Sequence, residues 1–191
     1  MIDVLLEALL SNAQRGWLLD NKALPTRMAI IASGGYGRAE LCPYSDIDIS
    51  LLYGSQSGRK LREFQEWITG HVLYPLWDLK FTVGHASRTI KESIAEAKAD
   101  MQTKTSLIQS RHVCGDAELS EEFREKFRKF LQKDAPEEYL KVRRKDQKAR
   151  RAKHLNTVFV QEPDIKNGVG GLRDYQNLIW MAEVKFGIST I

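Results

Sequence analysis

Two aspartates separated by one residue, Asp46 and Asp48, stand in the run Ser45-Asp46-Ile47-Asp48-Ile49-Ser50-Leu51-Leu52. Side chains alternate along a strand, so residues i and i+2 share a face. Both carboxylates then project on one side, while Ile47, Ile49 and Leu51 point into a core. Two like charges at that spacing repel each other unless a cation lies between them. Just upstream is Ser33-Gly34-Gly35-Tyr36-Gly37-Arg38. Glycines that end a strand and open a helix let backbone N–H groups approach an anion closely, and the helix dipole adds to the attraction. Together the two features suit a nucleoside triphosphate handled with a divalent cation: amides on the phosphates, carboxylates on the metal.

Each feature alone has a plainer meaning. A Gly-Gly-x-Gly turn is usually only a tight turn, and an Asp-x-Asp near a strand start is usually solvated or a cap. No Gly-Lys-Ser/Thr follows the glycines, so this is no Walker loop. Glu40 stands where a dinucleotide fingerprint needs its third glycine. Proximity in sequence changes the balance. Ten residues separate Gly35 from Asp46. That is enough for the chain to return and set both features on neighbouring strands at one end of a sheet.

The elements that must position them follow from hydrophobic periodicity. Residues 2–19 read as a helix carrying Leu5, Leu6, Leu9 and Leu10. Residues 28–32 (Met-Ala-Ile-Ile-Ala) read as a buried strand. One helical turn is expected over 38–42, a strand over 46–53 and a turn over 54–58. A helix over 59–74 should stop near Pro75, and a third strand is expected over 79–83. Only helices are expected after that: 89–99, 101–111, 119–131 with a Phe123, Phe127, Phe130 stripe, 137–154 and 172–186. Val158–Val160 reads as a short extended piece. The four tryptophans read as core. The fold class is α+β, a small mixed sheet flanked by helices and followed by a helical region. The expected division is residues 1–88 for the sheet core with its N-terminal helix and 89–191 for the helical region, the whole being a piece of a longer protein.

A net charge of +4 is too small to argue for nucleic acid and is compatible with a polyanionic small ligand. Positive charge is concentrated between Lys141 and Lys153. A solvated helix face explains it, as does electrostatic steering of an anion. Few aromatics interleave there, so single-stranded nucleic acid is not expected. No apolar run approaches the roughly 20 residues that cross a bilayer, so no membrane partner is expected. Cys42 and Cys114 form neither a metal spacing nor a disulfide framework, which fits a reducing cytoplasm.

Gly34-Gly35, ten residues, then Asp46-Ile47-Asp48 resembles the signature of the polymerase-beta nucleotidyltransferase superfamily. The fuller strings Ser-Gly-Gly-Tyr-Gly-Arg-Ala-Glu-Leu and Tyr-Ser-Asp-Ile-Asp are closer to the PII uridylyltransferase family. Trp77 to Thr89 resembles that family's third-strand segment, and Gln161 to Asp174 its helical motif ending Gly-Gly-Leu-Arg-Asp. The resemblance runs from about Ala29 to Gly187. It implies transfer of UMP from UTP to a tyrosine of the signalling protein PII, with pyrophosphate leaving. By position, Asp46 and Asp48 are the expected catalytic residues and Mg2+ ligands. Ser33, Gly34, Gly35 and Arg38 are the expected phosphate contacts, joined by Lys166 and Arg173 from the helical region.

A third carboxylate usually completes such a site from a neighbouring strand. Here Thr82-Val83-Gly84 stands in that place, and Asp78 is the nearest candidate for the third Mg2+ ligand. Glu162, Asp164, Lys166, Arg173 and Asp174 have two readings, nucleotide or phosphate contact, or a salt-bridged loop that docks the helical region on the sheet. His85 reads as a structural hydrogen-bonder. No His-Asp doublet for a phosphohydrolase occurs, so the chain is expected to add nucleotide and not to remove it. Two alternatives stand beside this reading: a nucleotide-binding regulatory module without turnover, and a nucleotidyltransferase acting on another substrate.

Overall fold

The computed structural model describes residues 1–54 and 58–188. The chain divides into two compact units, Met1–Lys126 and Phe127–Ile191. Their fold class is α+β, as expected.

The first unit is built on a four-stranded mixed sheet. Helix α1 (Ile2–Asp20) precedes strand β1 (Met28–Ala32), a short helix α2 (Gly34–Gly37) and strand β2 (Ile47–Tyr53). Helix α3 (Arg59–Ile68) runs through a π-helical turn (Thr69–Leu73) into α4 (Tyr74–Asp78), followed by β3 (Val83–Thr89), α5 (Ile90–Ala99), α6 (Met101–Ile108) and β4 (Arg111–Gly115). The strand order is β3-β2-β1-β4. β1 pairs antiparallel with β2 and with β4, while β2 and β3 are parallel. Parallel neighbours need a long crossover, supplied here by α3, the π-helical turn and α4.

The sequence dictates this arrangement locally. β1 is apolar at every position and buried at every position, as a central strand covered on both faces requires. Its Met28, Ile30 and Ala32 join Ile47, Ile49, Leu51 and Tyr53 of β2 in one core. That core is closed by Leu6, Leu10, Ala13 and Trp17 of α1 and by Phe64, Ile68, Val72, Leu73 and Leu76 of the crossover. The three- and four-residue spacing along α1 is what turns one stripe toward the sheet. Burying a leucine such as Leu6 or Leu10 contributes about 2 kcal/mol.

Several expectations need correction. β4 lies where the periodicity extended a helix to residue 111; helix α6 stops at Ile108 and the chain returns to the sheet beside β1. The third strand begins at Val83 and runs to Thr89, beyond the expected 79–83. Helix does not stop near Pro75. Pro75 opens α4 just after the π-helical turn, in a first-turn position where its missing N–H leaves no bond unmade. The helical turn expected over 38–42 sits on the glycines themselves. β2 starts at Ile47, leaving Asp46 just ahead of it. Val158–Val160 joins no strand. Trp77 is exposed and not core. Of the turn expected over 54–58, residues 55–57 lie outside the described residues.

Helix α7 (Ala117–Lys133) leads out of the first unit. The second unit contains its end, α8 (Pro136–Lys153), the loop around Asp164 and α9 (Leu172–Phe186). α9 buries Ile179, Trp180 and Val184, and also Gln176, Asn177 and Glu183. Among the described residues no helix is long and apolar enough to cross a membrane.

Candidate active site

The glycine turn and the acidic pair meet at one end of the sheet. β1 ends at Ala32, whose register partner on β2 is Ile49. One residue on, the Ser33 N–H donates to the Asp48 carbonyl at 2.9 Å. The ladder therefore continues past the strand and ties the two features together through backbone.

α2 then opens on Gly34, whose φ of 57° lies in the left-handed region that only glycine adopts freely. A second constraint acts on the same residue. A Cβ built there would lie 3.0 Å from Asp48 Oδ2. The Asp48 carboxylate thus packs over the glycine turn. The N–H groups of Gly34, Gly35 and Tyr36 open the helix and are the ones its own hydrogen-bond ladder leaves over. The later amides of Gly37, Arg38, Ala39 and Glu40 turn back to carbonyls within 33–36.

Tyr36 anchors this turn. Its hydroxyl donates to Asp3 Oδ1 at 2.6 Å, and Arg111 Nη1 donates to Asp3 Oδ2 at 2.7 Å. The Arg111 guanidinium also lies 5.4 Å from the Tyr36 ring centre. The start of α1, the glycine turn and β4 are therefore joined by one charged cluster. The Arg111 hydrogen bond holds the Asp3 carboxyl below its ordinary value. This cluster was missed in the sequence because its members lie far apart along the chain.

Asp46 is exposed and Asp48 half-buried. Burial first, and the charge of Asp46 second, push the Asp48 carboxyl above its ordinary 3.8. Two acids are held close with no cationic side chain among the causes of the shift. Such an arrangement suits a bound divalent cation, which would reverse both effects. Among the described residues, no three His, Cys, Asp or Glu side chains converge in a way that could hold a metal ion. Asp78 is exposed at the end of α4, and the place beside Asp46 is taken by Thr82, whose carbonyl accepts from the Ile47 N–H at 2.8 Å. Two carboxylates still fit Mg2+, which commonly takes one or two from the protein and the rest from phosphates and water.

Arg38 lies beside the turn but is engaged. Its Nε donates to Glu40 Oε2 at 2.6 Å and its Nη1 to Gln109 Oε1 at 3.3 Å. To reach a phosphate it would have to exchange those partners. Ser33, Gly34, Gly35, Arg38, Asp46 and Asp48 all belong to the first unit.

Lys166 and Arg173 belong to the second. There Asp164 shapes the loop: its carboxylate accepts from the N–H groups of Lys166 at 2.9 Å and Asn167 at 2.7 Å. Lys166 itself is exposed. The Arg173 guanidinium lies 5.3 Å from the Trp180 ring centre. Asp174 accepts from Arg150, from Arg151 Nη2 at 2.9 Å, from Gln147 Nε2 at 3.1 Å and from the Gly170 N–H at 2.9 Å. Burial alone would raise its carboxyl, yet these hydrogen bonds together hold it far below 3.8. Asp164 and Asp174 are thus held by hydrogen bonds within the second unit.

Residues 138–191 match the family described as GlnD PII-uridylyltransferase. Over 157 residues the chain is 38% identical to a bifunctional uridylyltransferase/uridylyl-removing enzyme of Caulobacter vibrioides, covering 82% of this chain and 16% of that protein. The enzyme of the same description from Phenylobacterium zucineum is 39% identical over the same shares. That of Ruegeria pomeroyi is 36% identical over 87% of this chain and 18% of its own length. The chain therefore spans less than a fifth of the length of these relatives. A crystal structure of a toxin-antitoxin with AMP-PNP matches at 18% identity and a TM-score of 0.37, over 63% of this chain and 86% of that one, too weakly to carry an argument. Over the segment that it spans, the chain belongs to the PII-uridylyltransferase family.

Proposed function

We propose that this chain is the nucleotidyl-transfer part of a PII uridylyltransferase, moving UMP from UTP to a tyrosine of PII in the cytoplasm. The observation that carries the reading is the Asp48 carboxylate packed against Gly34, with Asp46 beside it and no cationic partner to explain the pair.

In this reading Asp46 and Asp48 hold Mg2+, which when bound neutralises phosphate charge and favours departure of pyrophosphate. The leading amides of α2 and the Ser33 hydroxyl hold the β and γ phosphates. Lys166 and Arg173 remain the further candidates for phosphate contact. The tyrosine oxygen forms a bond to the α phosphorus as the bond from that phosphorus to the bridging oxygen breaks. The phenolic proton passes to water. The backbone bond from Ser33 to Asp48 keeps phosphate donors and metal ligands in fixed relation, so much of the rate enhancement comes from positioning.

The test is to incubate the chain with labelled UTP, ATP or CTP, Mg2+ and PII. Label from UTP on a PII tyrosine is the expected result. Nucleotide bound without transfer identifies a regulatory binding module instead. Label on another acceptor, or only from another nucleotide, overturns the choice of substrate.

A further inference from the structure

Gly84 occupies an interior position of β3, where glycine weakens a strand and needs a reason. Its backbone supplies none, because its φ lies outside the left-handed region. Burial under a covering element supplies none either, because β3 is an edge strand and Gly84 is exposed. The reason lies across the parallel ladder. Asp48 and Gly84 are register partners, so they share a face of the sheet. A Cβ built on Gly84 would fall within the 3.0 Å of Asp48 Oδ1 that real Cβ atoms do not enter. The other oxygen, Oδ2, sits over Gly34. The carboxylate therefore lies between two bare Cα positions on different elements, one oxygen toward each.

We propose that Gly84 is a positioning residue that sets the orientation of the Asp48 carboxylate for its ligand. Any side chain at 84 takes the space that Oδ1 occupies. Asp48 is short, so it must then turn about its first side-chain torsion, away from β3 and out of its orientation toward the glycine turn. The strand itself survives, because position 84 is open to solvent. The same crowding closes position 84 to a third acid while Asp48 keeps its orientation. This rests on the reading of Asp48 as a metal ligand.

Gly84→Ala tests it in two ways. Mn2+ titrations followed by water-proton relaxation should show affinity falling roughly ten- to a hundredfold, as when a group that orients a metal ligand is lost. Thermal melts of Gly84→Ala, Asp48→Ala and the double variant form the second arm. Alanine suits a strand better than glycine once the carboxylate is gone. The substitution should therefore raise the melting temperature in the Asp48→Ala background and fail to raise it in the wild type, a departure from additivity that marks direct coupling. Wild-type Mn2+ affinity in Gly84→Ala, or equal temperature shifts in both backgrounds, overturns the proposal. Should the wild-type protein bind no Mn2+, the metal reading fails, and the thermal cycle alone decides whether Gly84 orients Asp48.

Discussion

Asp48 in the first unit and Asp174 in the second are both partly or largely buried acids, and they have opposite surroundings. Asp174 is 10% exposed and held by Arg150 and Arg151, each giving a charged hydrogen bond, with an amide and the Gly170 N–H besides. Its carboxyl is driven well down. Asp48 meets burial and a second acid and, among the described residues, no cation that shifts it, and its carboxyl is driven up. An acid supplied with its own cations is finished and serves the fold. An acid set against another acid is costly as it stands, and the cost is relieved only by something from outside. The contrast is the one that the proposed roles require, a structural carboxylate in Asp174 and a ligand-binding one in Asp48.

The sharpest way to break the contrast is Asp48→Asn. Nucleotidyl transfer should fall by about a hundredfold or more, as when one group that stabilises transition-state charge is removed. Mg2+ should raise the melting temperature of the wild type and not of the variant, because a ligand stabilises only the state that binds it. Transfer at the wild-type rate in Asp48→Asn would remove the metal assignment.

Asp174→Asn should act on the other side, removing the negative charge that Arg150 and Arg151 share while Arg150 keeps its hydrogen bond to the Asn167 carbonyl. A loss of roughly 3 kcal/mol in urea unfolding is expected, toward the low end for breaking a buried pair because Arg151 is partly exposed. If stability holds and transfer vanishes, Asp174 is a site residue and the contrast fails.

Acid titration sharpens it further. The folded value of Asp48 lies above 3.8, so the folded protein keeps a proton that the unfolded chain has released. Its contribution is most favourable below 3.8 and declines as pH rises through the folded value. Asp174 behaves oppositely: its contribution is complete above 3.8 and is lost as pH falls through its lowered folded value. Urea midpoints followed from about pH 3 to about pH 6 should gain slope in Asp48→Asn and lose slope in Asp174→Asn. Identical profiles for the two variants would show that the surroundings do not differ as described.

The smallest expected effect is that of Lys166→Ala. An exposed lysine on a shaped loop should strengthen UTP binding by about 1 kcal/mol, roughly fivefold. Unchanged affinity in an equilibrium titration would assign Lys166 to the loop alone.

Much of this was legible in the chain because local signals and tertiary needs agreed. The run 28–32 is apolar throughout and became a doubly covered strand. The periodicity over 172–186 gave α9 with both ends correct. The short interval between Gly35 and Asp46 placed turn and acids side by side, and they are. The failures have physical causes. β4 reads Arg-His-Val-Cys-Gly, too short and too polar to compete with the helical pattern running into it. β3 carries Gly84, Ser87 and Arg88, a composition that only its pairing with β2 makes into a strand. Pro75 was read as a stop, because sequence does not show the π-helical turn just before it, after which Pro75 takes a first-turn position. The part played by Gly84 depends on a parallel register across a crossover of about thirty residues, which periodicity does not supply, although an isolated glycine within a strand is a sign of close approach.

The single hydrogen bond from the Ser33 amide to the Asp48 carbonyl has a kinetic meaning. A rim joined through its main chain has no loose half to fold down over an arriving molecule. No slow closing of the glycine turn against the acidic strand is therefore expected after a ligand's first encounter.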